Sequence, residues 1–121
     1  MEPKELIEFL GRIEPLKSVP RHAVTRAGIP ECVAAHSWRL ATIAMLAAEE
    51  FPGVDMPRVI RMCLVHDIGE AVTGDIASFQ KTAANERTEE HAIAGLLSTL
   101  PERERGALTA LLMSSPFYNI N

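Results

Sequence analysis

Three residues of this chain have types and spacing that point to chemistry: His36 and, thirty positions later, the adjacent pair His66-Asp67. Neutral imidazole nitrogens and a carboxylate oxygen form a mixed donor set suited to one borderline divalent transition metal, Mn, Co, Fe, Ni or Zn. Two further carboxylates, Glu70 and Asp75, close the run Val65-His-Asp-Ile-Gly-Glu-Ala-Val-Thr-Gly-Asp75. Each residue has an ordinary alternative when taken alone. A single histidine on an apolar helix face is more often a hydrogen-bonded core residue than a ligand, and Asp67 could bond to backbone donors near a helix end. The combination favours a metal, because buried polar groups are costly without a compensating partner.

The segments that must carry these residues read as helices. Pro3 to about Arg12 predicts a short helix with an apolar stripe of Leu6, Ile7, Phe9, Leu10 and Ile13. Pro15, Pro20, Gly28 and Pro30 then punctuate what reads as a long ordered loop. From Pro30 to Glu50 a long helix is expected, in which Val33, His36, Leu40, Ile43 and Ala47 share one face and direct His36 inward. Asp55 can cap a third helix running to about Ile68, along which Val59, Cys63, His66 and Glu70 share a face. Asp67 is displaced from that face by about 100°. Gly69 and Gly74 break the chain after it and put Asp75 on a turn. A fourth helix is expected from about Ala84 to Thr99, and Pro101 opens a fifth that carries Leu108, Leu111 and Leu112. No run alternates long enough to count as a strand. The expected fold is all-α, with about five helices in one domain over residues 1–113 and an irregular tail over 114–121.

Composition narrows the partners. A net charge of -4 lacks the basic footprint of a protein that binds a nucleic-acid polymer. No apolar run approaches the roughly 18 residues of a membrane span, and the opening Met-Glu-Pro-Lys-Glu is unlike a signal peptide. Cys32 and Cys63 form neither a disulfide framework nor a metal-type pair, which fits a reducing, cytoplasmic setting.

The motif residues resemble those of the HD-domain metal-dependent phosphohydrolases. Glu31-Cys-Val-Ala-Ala-His36-Ser-Trp-Arg39 is similar to the E-S-V-A-E-H-S-x-R segment of the 5'-deoxynucleotidase-like branch. The segment His66-Asp67 through Glu70 to Gly74-Asp75-Ile76 resembles that branch's H-D-x-x-E-x-x-x-G-D-I signature. The resemblance implies an HD-domain helical bundle with His36, His66 and Asp67 as metal ligands. It assigns Glu70 and Asp75 to positioning or deprotonating the attacking water and handling the leaving oxygen, and Arg21 to contacting the substrate phosphate. The implied function is removal of phosphate from nucleoside 5'-monophosphates, deoxynucleotides in particular, by a metal-activated water. A small-molecule nucleotide is the implied partner, and a homo-oligomer, a dimer, the implied assembly.

Some positions depart from the family pattern. Its fourth ligand is an aspartate on a helix well beyond the fifth, and no aspartate follows Asp75 here, so the bundle is expected to lack the family's C-terminal helices. The family tends to carry a Trp shortly after the phosphate-binding arginine, whereas His22, Ala23 and Val24 follow Arg21 here, and Ala35 replaces the acidic residue usual just before His36. A branch acting on cyclic dinucleotides or inositol-type substrates would need more downstream histidines than His91 alone. The competing expectation is a non-catalytic remnant of the family that acts in nucleotide or partner binding.

Overall fold

The computed structural model describes residues 1–74 and 83–114. Helix α1 (Pro3–Ile13) starts with Pro3 in its first turn, and the Glu2 amide donates to Glu5 Oε1 at 2.9 Å. A 3₁₀ turn (Glu14–Lys17) leads to two short strands, β1 (Pro20–Val24) and β2 (Pro30–Cys32). Helix α2 (Val33–Ala47) follows directly, then a 3₁₀ turn (Ala48–Glu50) and α3 (Met56–Val65). The short α4 (Glu70–Thr73), α5 (Ala83–Leu97) and α6 (Glu102–Ser114) complete the described chain. The helical fold agrees with the sequence reading. The expected tail begins at the last residue of α6, and 115–121 lie outside the described residues.

The stretch read as a loop contains a two-stranded antiparallel ribbon, with Pro20 opposite Cys32 and Val24 opposite Pro30. The Thr25 amide donates to the Ile29 carbonyl at 2.8 Å, and Gly28, at φ 83°, supplies the left-handed residue of the turn. The strands are too short, and too broken by proline, to show a hydrophobic alternation. Val33 N–H donates to Val19 O at 2.9 Å, joining the ribbon to the start of α2.

The core gathers Phe9, Leu16, Val33, Ile68, Leu96, Leu97, Leu100 and Leu112. Val33 is fully buried and lies three residues before His36; Ile68, 3% exposed, directly follows Asp67. Each half of the sequence-predicted metal set is therefore anchored to one core through a neighbouring apolar side chain.

Two helix faces differ from the expected ones. The buried residues of α2 are Val33, Ser37, Ala41 and Ala44, while Ile43 is exposed, so the inward face is turned by most of one residue's 100° step from the expected stripe. The residues that face inward after Val33 are all small, which permits close approach of α2 to α3, its main helical neighbour. In α1 only Phe9 is buried, and Ile7 and Leu10 face outward.

Helix α3 ends earlier than expected. His66 is its C-cap, and beyond it the chain tightens into three-residue bonds: Ile68 N–H to Val65 O at 3.1 Å, Glu70 N–H to Asp67 O at 3.0 Å, Ala71 N–H to Ile68 O at 3.1 Å. A tighter winding advances each residue further around the axis than 100°. Glu70 accordingly belongs to α4, not to the His66 face of α3.

Candidate metal centre

His36 lies in the first turns of α2, which Cys32 caps by accepting the Ala35 amide at Sγ, 3.3 Å away. His66 and Asp67 leave the end of α3. The packing of α2 on α3 brings one donor atom from each of His36, His66 and Asp67 within 4.8 Å of the others. Ligand atoms bound at about 2.1 Å to one ion are at most about 4.2 Å apart, so small side-chain rotations close the site. Two imidazoles and one carboxylate fit the chemistry of a borderline divalent cation.

The His66 ring is held at both nitrogens. Nδ1 donates to the Cys63 carbonyl at 2.9 Å, and Nε2 lies 3.0 Å from Asp67 Oδ2. The Cys63 contact fixes the ring orientation, as backbone carbonyls commonly do for ligating histidines. Burial pushes the His66 pKa down, but the hydrogen bond and charge of Asp67, helped by the Cys63 carbonyl, outweigh it and raise the pKa above the ordinary histidine value. His36 shifts the other way. Burial and then the Arg21 charge lower its pKa, with the His66 ring adding to the effect and Asp67 and Glu31 opposing it. The rings of His36 and His66 meet edge to face with centroids 5.8 Å apart.

Arg21 is on β1, and its Nη1 donates to Glu31 Oε1 at 2.6 Å across the ribbon. The same carboxylate oxygen is 3.9 Å from His36 Nδ1. The structure therefore connects Arg21 to the histidine cluster through Glu31. Glu70 begins α4, one tight turn after Asp67, and Asp75 lies outside the described residues. Glu31 is quoted in the sequence motif but received no role there. Its signal is an acid ten residues from a basic residue across a Gly-containing turn, which is informative only once that turn is known to be a hairpin.

Cys32 and Cys63 are both free thiols, and burial pushes the Cys63 pKa up. No helix among the described residues is long and apolar enough to cross a membrane.

Comparison with known proteins bears on this geometry. The HD domain family model matches residues 13–115. The 5'-deoxynucleotidase HDDC2 of Homo sapiens is 35% identical over 112 residues, covering 89% of this chain and 54% of that protein. The Bos taurus protein of the same name is 36% identical over 103 residues, covering 82% of this chain and 49% of its own length. The crystal structure of a predicted metal-dependent phosphohydrolase from Magnetospirillum magnetotacticum superposes with a TM-score of 0.82 at 33% identity, covering 91% of this chain and 58% of that one. The chain spans about half the length of the curated relatives it matches. With its helical fold, its paired histidines and the adjacent Asp67, the chain belongs to the HD domain family.

Proposed function

We propose that this chain is a metal-dependent phosphohydrolase acting on nucleoside 5'-monophosphates, deoxynucleotides in particular. The observation that carries the reading is the convergence of His36, His66 and Asp67, with Arg21 reaching the same cluster through Glu31. Similarity to proteins named 5'-deoxynucleotidase supports the substrate class.

His36, His66 and Asp67 would hold one divalent ion, Mn, Co, Fe, Ni or Zn, as mixed imidazole and carboxylate donors accept all five. When bound, the ion supplies Lewis acidity toward phosphoryl oxygens and activates water. Arg21 orients the phosphate, since a guanidinium matches paired phosphate oxygens. By the family resemblance, Glu70 would position or deprotonate the attacking water, and Asp75, entering as the carboxylic acid, would protonate the leaving 5' oxygen, so that one proton is taken and one given. One water oxygen bonds to phosphorus as the ester P–O bond breaks, giving nucleoside and inorganic phosphate.

In this reading residues 1–113 form the HD domain, and the protein works in the cytoplasm as a homodimer. The free thiols support the compartment. The exposed apolar side chains of α2 support self-association.

The test is phosphate release from each deoxynucleoside 5'-monophosphate with Mn²⁺ or Co²⁺. The wild-type chain is expected to be active, and His66→Ala and Asp67→Asn to lose about a hundredfold or more, in line with removal of a site's main electrostatic element. Folded, metal-loaded wild type that releases no phosphate from any of these substrates defeats the reading.

A further inference from the structure

We propose that Glu31 is a positioning residue that couples the anion-binding Arg21 to His36. This proposal rests on the phosphohydrolase reading for the roles of Arg21 and His36. A single carboxylate oxygen, Oε1, lies 2.6 Å from Arg21 Nη1 and 3.9 Å from His36 Nδ1. The Glu31 side chain is only 15% exposed, so its charge is less screened by solvent than that of a surface acid. Its backbone is equally constrained. Glu31 lies in β2, pairs within the ribbon that carries Arg21, and immediately precedes the Cys32 cap of α2.

Two consequences follow from that placement. First, Glu31 engages one terminal nitrogen of the guanidinium and leaves Nε and Nη2 with donors for phosphate oxygens. An arginine already held in one orientation loses less conformational freedom on binding an anion than a mobile one. Second, the negative charge of Glu31 stands against the positive charge of Arg21, whose field reaches His36. Without Glu31, a cation held at His36, His66 and Asp67 would feel Arg21 uncompensated.

In the Glu31→Gln background the two consequences respond oppositely to Arg21→Ala, which a double-mutant cycle reads. Mn²⁺ affinity and the affinity of the Mn²⁺-loaded protein for inorganic phosphate are measured by titration calorimetry for wild type, Glu31→Gln, Arg21→Ala and the double variant. Glu31→Gln keeps the side-chain volume, and circular dichroism checks its fold; Glu31→Asp serves as the charge-retaining control. Glu31→Gln is expected to weaken phosphate binding by about tenfold, the scale of one charge-assisted hydrogen bond. In the double variant the phosphate affinity should equal that of Arg21→Ala, because Glu31 acts through Arg21. Mn²⁺ affinity should fall severalfold in Glu31→Gln and return toward wild type in the double variant, a recovery that a merely structural role would not produce. For substrate turnover, Glu31→Gln should raise KM more than it lowers kcat, and Glu31→Asp should restore part of the loss.

Additive effects on phosphate binding, or Mn²⁺ affinity unchanged in Glu31→Gln, overturn the proposal. Wild type that binds Mn²⁺ and phosphate but hydrolyses no nucleotide defeats the phosphohydrolase reading alone, because the cycle is read from binding. Wild type that hydrolyses nucleotides, with Glu31→Gln unchanged in every constant, defeats only the role of Glu31. A wild-type chain that binds none of Mn²⁺, Co²⁺, Fe²⁺, Ni²⁺ and Zn²⁺ defeats both.

Discussion

His66 has acceptors at both ring nitrogens, the Cys63 carbonyl at Nδ1 and Asp67 Oδ2 at Nε2, so in the metal-free protein its protonated form is favoured. A metal ligand must give up the proton on its coordinating nitrogen, so metal binding here competes with protons. The pKa shifts give metal-free stability a defined pH shape. His66 is raised, so its contribution is fully present below the ordinary value of about 6.5 and is lost as pH rises through the folded-state pKa. His36 is lowered, so its contribution is present above about 6.5 and is lost as pH falls through the folded-state pKa. Together the two histidine contributions are expected to be largest near about pH 6.5 in chelator-treated protein. Urea denaturation across pH 5.5–8.5, in steps of about half a unit, reads this shape. The decline above the maximum should disappear in Asp67→Asn, and its persistence there would assign it to other groups. The residue types of this cluster were legible in the sequence. The tie from Arg21 through Glu31 was not, since its two members meet only across a ribbon that proline and short length conceal.

The turn between α3 and α4 has to place Asp67 and Glu70 while passing close to α5. Gly69 is the point of closest approach: a Cβ there would lie 3.0 Å from Ile93 Cγ1 and 3.7 Å from the Glu89 carbonyl oxygen. The Gly69 backbone, with φ -59° and ψ -25°, is ordinary, so what favours glycine here is the tight space beside Ile93 and not conformation. Gly69→Val should therefore overpack the α4–α5 contact and destabilise the fold by about 2 kcal/mol. Chemical denaturation measures the loss, and an unchanged midpoint would show that α5 yields without cost. The glycine was visible in the sequence as a helix breaker, but its steric reason was not. The same limit applies to α2. Because α2 carries apolar residues on several sides, hydrophobic spacing alone did not single out the face of Val33, Ser37, Ala41 and Ala44 that packs inward.

At the scale of the molecule, a chain that is 47% hydrophobic leaves a substantial apolar surface outside a small core. Trp38, Ile43, Met45 and Leu46 of α2 are each more than half exposed, and Leu46 is 74% exposed. A helix apolar on nearly every side is usually covered on more than one. Met45→Lys combined with Leu46→Glu should shift the protein toward monomer in sedimentation velocity, with folding stability changed by no more than about 0.5 kcal/mol. Identical mass distributions for this variant and wild type would place any self-association elsewhere.

The residue types of the candidate donors, the helical class and the positions of the later helices were determined by the sequence, because side-chain chemistry is local to residue type and helix signals are local in sequence. His36 and the His66-Asp67 pair were also legible as parts of one site, from their residue types and a motif that names both. Which face of α2 is buried, how α3 ends at His66, and that Glu31 stands between Arg21 and His36 were decided only by the tertiary structure. Those features depend on how elements pack and pair, where close packing of small residues and the pairing of two short strands prevail over local pattern.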